Sequence, residues 1–185
     1  MKTGLISDTH LPALGLEPPP QVAHAFAGVD LILHAGDIYS AGCLDWLERI
    51  APVLAVEVSP APVIGDPRVA ERRVIQIAGH SIGLVHDLQI QGMGWEVVPG
   101  IIASRFPPER SLPAALESFF GQPVDIVVCG HTHVPMVETH QGILLVNPGS
   151  PTLPNQTRRL GTVGILETTL STREARIVDL KGLPE

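Results

Sequence analysis

Residues 3–10 read Thr3-Gly4-Leu5-Ile6-Ser7-Asp8-Thr9-His10, and residues 31–37 read Leu31-Ile32-Leu33-His34-Ala35-Gly36-Asp37. Each is a short apolar run ending in a carboxylate, which reads as a buried strand leaving the core. Between them, Pro20–Ala27 shows a helical pattern behind a proline cluster suited to a first helical turn. Ala41–Ile50 follows, with Leu44, Leu47 and Ile50 at helical spacing and Ser40 as its N-cap, and Val53–Val58 reads as the next strand. Strand–helix–strand–helix–strand requires crossovers, and crossovers give parallel pairing.

Further along, strands dominate. Arg73–Ile77, Ser81–His86, Val124–Cys129, Val134–Thr139, Ile143–Val146, Thr162–Thr168 and Ala175–Leu180 are short and rich in Val and Ile. One more helix is expected at Leu112–Phe120, with Ser111 as cap and Pro113 in its first turn. Late strands joined by short turns pair antiparallel. The expected fold class is therefore α/β with α+β character: two mixed sheets packed together, helices outside. Residues 59–67, with Pro60, Pro62 and Pro67, and residues 88–108, with Gly92, Gly94 and Gly100, read as loops or insertions. No repeat or boundary divides the chain, so one domain over residues 1–185 is expected, with 88–108 as a lid or insertion.

Composition narrows the function classes. The 185 residues carry 12 Lys+Arg against 19 Asp+Glu, for a net charge of -7, and 44% are hydrophobic. Such a chain buries a core without disulfides, and it is not disordered. Its acidity argues against a nucleic-acid or anionic-membrane binder. No apolar run approaches the roughly 20 residues of a membrane span, and Asp8 comes too early for a signal peptide. Cys43 and Cys129 form no C-x-x-C pair, so a cytoplasmic location is expected.

Polar residues at strand ends carry the functional signal. The ends read Asp8-Thr9-His10, Gly36-Asp37, His86-Asp87 and Gly130-His131-Thr132-His133. In sheets with crossovers, the carboxyl ends of strands converge on the edge where ligands bind. If the segments stay extended, residues two apart point the same way, so Asp8 and His10 could share one ion. Mixed imidazole and carboxylate ligation suits Zn, Mn or Fe better than Ca or Mg.

Taken in order, Asp8-x-His10, Gly36-Asp37, His86, Gly130-His131-x-His133 and Asn147-Pro148-Gly149-Ser150 resemble the motifs of the calcineurin-like metallophosphoesterases. The short chain looks most like their small phosphodiesterase branch, which also contains the retromer subunit of the same fold. The resemblance runs to about Leu166 and implies a four-layer sandwich of two mixed β-sheets flanked by helices. It implies two divalent metal ions, Mn foremost, with Zn, Fe, Ni or Co as alternatives. Carried over by position, Asp8, His10, Asp37 and His133 hold the first ion; Asp37, His86 and His131 hold the second, with Asp37 bridging. The implied activity is hydrolysis of a phosphate ester, a phosphodiester foremost, by a metal-bound hydroxide between ions about 3.5–4 Å apart. The implied partner is a small phosphate-ester substrate.

Two departures bear on that expectation. The family has Gly-Asn after the third strand, its Asn a second-metal ligand. Counting forward from that strand puts Ser59 at the Asn position here, and counting back from Asp66-Pro67-Arg68 puts Val63 there. Asp66 is the local residue able to substitute as a ligand, or else it opens a turn before Pro67. Asp87 follows His86 where relatives have Gly; it could orient the imidazole or face solvent. The missing Asn favours an alternative, a catalytically weak or inactive scaffold for protein interactions. Met93, Trp95 and Phe106 suit a lid or a homo-oligomer surface, or a hairpin packed on its own domain. Arg68, Arg105, Arg158 and Arg159 could reach phosphate or be solvated charges. Asn147 reads as a turn residue, His24, His34, His80 and His140 as background, and Cys129 as a core residue.

Overall fold

In the computed structural model, which describes residues 1–58, 63, 65–91 and 93–185, every apolar run read above becomes a strand. These are β1 (Lys2–Ile6), β2 (Leu31–His34), β3 (Val53–Val56), a two-residue β4 (Val69–Ala70), β5 (Arg72–Ile77) and β6 (His80–Val85). After them come β7 (Ile126–Val128), β8 (Met136–His140), β9 (Ile143–Asn147), β10 (Thr162–Thr168) and β11 (Arg173–Asp179). The helices are α1 (Gln21–Ala25), α2 (Ala41–Glu48), α3 (Ile101–Arg105) and α4 (Leu112–Phe120). Ser40 Oγ accepts from Gly42 N and Ser111 Oγ from Ala114 N, so both expected caps form.

The strands build two mixed sheets. One has the order β11-β10-β1-β2-β3-β4, with β1 to β4 parallel and the β10–β11 hairpin added antiparallel beside β1. The other has the order β5-β6-β7-β9-β8, with β6, β7 and β9 parallel between antiparallel edge strands. Side-chain alternation then distributes the core into three clusters. Leu5 and Leu33 meet Ile82, Leu84, Ile126, Val128, Leu144 and Val146 between the sheets. Ile6 and Ile32 face Val22 of α1, Phe26 just after it, and Leu44 and Leu47 of α2, while Val127 and Leu145 face Leu112 and Leu116 of α4. Three clusters between four layers make the helix–sheet–sheet–helix sandwich. Each buried Leu is worth roughly 1.5–3 kcal/mol, so the inter-sheet cluster fixes one sheet's edge against the other's.

Residues 88–108 depart from the loop expected there. The short helix α3 starts behind Gly100, whose φ of 78° is left-handed and whose position offers no side-chain cap. Five residues without a polar cap give no readable helical period. Met93 and Phe106 are buried with Leu88, Ile90 and Val97 against α4 and the second sheet. They belong to the core rather than to a lid or oligomer surface; Trp95 stays 57% exposed. Among the described residues no helix is long and apolar enough to cross a membrane.

Candidate metal centre

The loops after β1, β2, β6 and β7 are tied to one another through backbone groups. Asp8 N donates to Gly36 O and His10 N to Asp37 O, both at 2.9 Å, and Gly130 N donates to His86 O at 2.9 Å. Across the two sheets, His131 N donates to Asp8 Oδ1 at 3.0 Å. The chain is not extended here, contrary to the alternation expected for Asp8 and His10. Asp8, His10, Asp37, His131 and His133 all take left-handed φ values, 54°, 51°, 55°, 73° and 58°. Each such residue costs on the order of 1 kcal/mol. Tight reversal at the ends of β1, β2 and β7, rather than pleat, turns these side chains inward.

Two glycines permit the close approach. A Cβ on Gly36, at φ 95°, would overlap the His86 ring. One on Gly130 would overlap Ser7 Oγ and lie 2.7 Å from Ala35 O and 2.9 Å from Asp8 Oδ2. Glycine is therefore required at both loops.

Asp8, His10, Asp37 and His133 converge, each offering one ligand atom with all four within 4.8 Å of one another. His10 Nε2 lies 3.1 Å from His133 Nε2 and 3.4 Å from Asp37 Oδ2. His133 Nε2 is 3.4 Å from Asp8 Oδ1. His133 Nδ1 sits 2.8 Å from Leu153 O, so it carries the proton and leaves the Nε2 lone pair facing the cluster. Two imidazole nitrogens 3.1 Å apart repel unless a proton or a cation lies between them. Asp8 Oδ2 is buried with no hydrogen-bond partner among the described residues. Burial, reinforced by the neighbouring Asp37 and opposed by the His131 N–H, pushes the Asp8 carboxyl up to about 8. Burial also lowers His10 and His133 from their usual range, keeping them neutral. A buried carboxylate with one unpartnered oxygen, its other oxygen 3.4 Å from a neutral imidazole nitrogen, is part of a donor set that fits a divalent cation.

The other half is more open. His86 Nε2 approaches Asp37 Oδ2 at 3.7 Å, while its Nδ1 sits 2.8 Å from Ala35 O. Asp37 Oδ2 therefore faces both His10 and His86. His131 stacks edge-on to His86, with ring centroids 5.3 Å apart, but its side chain is 41% exposed. Its Nε2 is 3.8 Å from Glu96 Oε1. Asp66, raised above as a substitute ligand, is turned away. Arg68 donates to its Oδ1 through N and Nε (2.9 Å each) and to its Oδ2 through Nη2 (2.7 Å), holding the carboxyl down at about 2. Arg68 also pairs with Asp45 and Glu48, so it is not free for phosphate. Val63 is buried among apolar residues. Ser59 lies outside the described residues.

Several supporting residues escaped the sequence reading. Glu57, 1% exposed, accepts from Asp37 N (3.3 Å), Ile38 N (2.7 Å) and Val58 N (2.9 Å), and so fixes the Asp37 loop. A lone charge inside Val53–Val58 was its signal. His34, read as background, accepts from Gly36 N at 3.2 Å through Nδ1. Its Nε2–H therefore donates to Thr9 Oγ1 at 3.2 Å, and Thr9 in turn donates to Asp37 O at 3.3 Å. Burial drives its imidazole down to about 3, so it is neutral. Asn147 does form the expected turn, accepting from Gly149 N at 2.8 Å, and also donates to Gly130 O and Thr132 Oγ1, at 2.8 and 3.1 Å, bracing the His131–His133 loop. Tyr39 is half-exposed at the rim, its ring centroid 5.4 Å from that of His10. His80 is a clamp elsewhere, its Nδ1 2.7 Å from Asp125.

Residues 1–171 match the calcineurin-like phosphoesterase superfamily domain. A probable metallophosphoesterase of Methanothermobacter thermautotrophicus is 37% identical over 159 residues, 85% of this chain and 81% of its own. One from Methanocaldococcus jannaschii is 34% identical over 154 residues, 83% of this chain and 70% of its own. In fold, the chain is similar to Vps29 of Entamoeba histolytica crystallised with zinc, at TM-score 0.69 and 23% identity over 97% of this chain and 99% of that one. It is also similar to a structure described as a novel archaeal phosphodiesterase, at TM-score 0.61 and 18% identity over 96% of this chain and 100% of that one.

Proposed function

The chain belongs to the calcineurin-like phosphoesterase superfamily, and on that premise we propose that it hydrolyses a small phosphate ester, a phosphodiester foremost, at a centre for two divalent cations. The observation that carries this reading is the convergence of one ligand atom each from Asp8, His10, Asp37 and His133 within 4.8 Å of one another, with the Asp8 carboxylate buried and its Oδ2 unpartnered among the described residues. Asp8, His10, Asp37 and His133 would hold one ion, and Asp37, His86 and His131 the other. Bound divalent cations supply Lewis acidity toward phosphoryl oxygens and lower the pKa of water, with Mn2+ the first choice.

The chain's own groups prepare that chemistry. The carbonyls of Leu153 and Ala35 hold the Nδ1 protons of His133 and His86, which fixes both rings with Nε2 toward the site. Glu57 and the His34–Thr9 pair hold the Asp37 loop from two sides. Burial and the nearby Asp37 push the Tyr39 phenol up to about 12, so its O–H stays a donor able to meet a substrate oxygen. The unpaired, buried thiols of Cys43 and Cys129 support a cytoplasmic setting.

The test is hydrolysis of a bis-aryl phosphate with added Mn2+, expected to be metal-dependent and lost in His131→Ala. No turnover with Mn, Co, Ni, Zn or Mg, with metal demonstrably bound, would sink the reading. A second reading, the weakly active or inactive interaction scaffold, is favoured by the absence of Asn at either counted position after β3. Metal content separates the two: two ions per chain support the enzyme, one or none the scaffold.

A further inference from the structure

We propose that Glu96, carried by the 88–108 segment, is a ligand of the ion held by Asp37, His86 and His131, in the place where relatives use Asn. The proposal rests on the metal-dependent reading above and assigns a residue to it from a different loop. Glu96 Oε1 stands 3.8 Å from His131 Nε2. Oxygen and nitrogen ligands each about 2.0–2.2 Å from one cation lie roughly 3–4 Å from each other, so this pair already has ligand-to-ligand spacing.

The segment that delivers Glu96 is anchored. Val97 beside it is buried, as are Leu88, Ile90 and Met93. Arg110 Nη1 donates to Gln91 O at 2.6 Å, and Val98 N donates to Glu96 O at 3.1 Å. The Glu96 side chain is 70% exposed, free to swing while its backbone is held. Three other carboxylates on neighbouring loops are engaged elsewhere. Glu57 accepts from three backbone N–H groups, Asp66 is bound by Arg68, and Asp87 Oδ2 accepts from Gln89 Nε2 at 2.7 Å. An anion in place of a neutral amide also lowers the formal charge of the loaded centre from about +2 to about +1, which favours a singly charged diester over a doubly charged monoester.

The experiment titrates the metal-free full chain with Mn2+, read by calorimetry and by electron paramagnetic resonance of coupled Mn pairs. Wild type is expected to bind two ions. Glu96→Ala should leave the first site unchanged, weaken the second by at least about tenfold and lose the coupled signal. Glu96→Asp should recover part of both, and Ser59→Ala should bind like wild type; unchanged circular dichroism verifies folding. The proposal is overturned if Glu96→Ala binds both ions with wild-type affinity, if Ser59→Ala and not Glu96→Ala loses the second, or if wild type binds only one. Hydrolysis of a bis-aryl phosphate by the two-ion wild type is measured separately. Turnover with Glu96→Ala unaffected in binding removes Glu96 alone, whereas two bound ions without turnover remove the phosphoesterase reading.

Discussion

Asp8 and His133 are almost wholly buried, with Asp8 reached from two sides by backbone N–H and hydroxyl groups; His131, on the opposite side of Asp37, has 41% of its side chain in solvent. The two halves share Asp37 but differ in how they are built. The first half is closed by elements of both sheets, so the fold itself sets its geometry. The second relies on one loop from β7 and one from β6, with Glu96 approaching His131 at 3.8 Å. On the proposed two-ion reading, a closed, preorganised half would bind its ion with little ordering cost, while the open half would order when its ion arrives. The first site should therefore fill first, and the second should govern activity.

Four substitutions break or sharpen this contrast, from the largest effect to the smallest. Asp37→Ala removes the shared carboxylate, so both ions and turnover should be lost, by at least about 1,000-fold in rate; steady-state kinetics with metal analysis checks it. His131→Ala should abolish only the second ion and reduce kcat by about 100-fold or more while the first ion stays. Equal loss of both ions would erase the distinction between halves. His34→Ala breaks the bonds to Gly36 and Thr9 that position Asp37. It should weaken metal binding about 10–100-fold and cost about 1–3 kcal/mol in urea unfolding, with His34→Gln recovering part of both. Arg68→Ala, in the Asp66 ion-pair network away from the centre, should leave metal binding unchanged and cost about 1 kcal/mol or less.

The pH dependence distinguishes the buried half further. Asp8 is raised to about 8 from 3.8, so the folded, metal-free chain binds a proton there that the unfolded chain has lost. Stability from this group is full below the unfolded value and falls as pH rises through the folded one. His10, His133 and His34 are lowered by burial from 6.5, and they act oppositely: their contribution is lost as pH falls below 6.5. Above about pH 7 the imidazoles drop out and Asp8 leads, joined toward pH 9 by the Cys43 and Cys129 thiols, which burial pushes up to about 11 and about 12 and which act in the same direction. Thermal or urea unfolding of the metal-free chain should show a loss of about 1–2 kcal/mol between pH 7 and 9. Asp8→Asn should remove most of that slope, and saturating metal should do the same, because the cation takes the proton's place.

Most of the sandwich was legible because strands such as Val124–Cys129 and Thr162–Thr168 are apolar runs cut by Gly, Pro or charge, and because Ser40 and Ser111 announce their helices. Helix α3 was not, since Gly100 caps it without a side chain and only Ile102 is fully buried from its five residues. At the centre, Asp8, His10, Asp37, His86, His131 and His133 were all named from strand ends, and the first four-residue set comes together. What the chain did not disclose is backbone: left-handed turns at Asp and His carry no compositional mark, so alternation misread how Asp8 and His10 converge. Residues that act through others were also hidden. His34 looks like a core strand residue and Glu57 like a stray charge.

Turnover measured against metal equivalents tests the two-ion account most directly. Metal-free protein is titrated with Mn2+ while hydrolysis of a bis-aryl phosphate is followed and bound metal is counted. Activity is expected to stay near zero through the first equivalent and rise with the second. Full activity at one equivalent, or none with two ions bound, would contradict it.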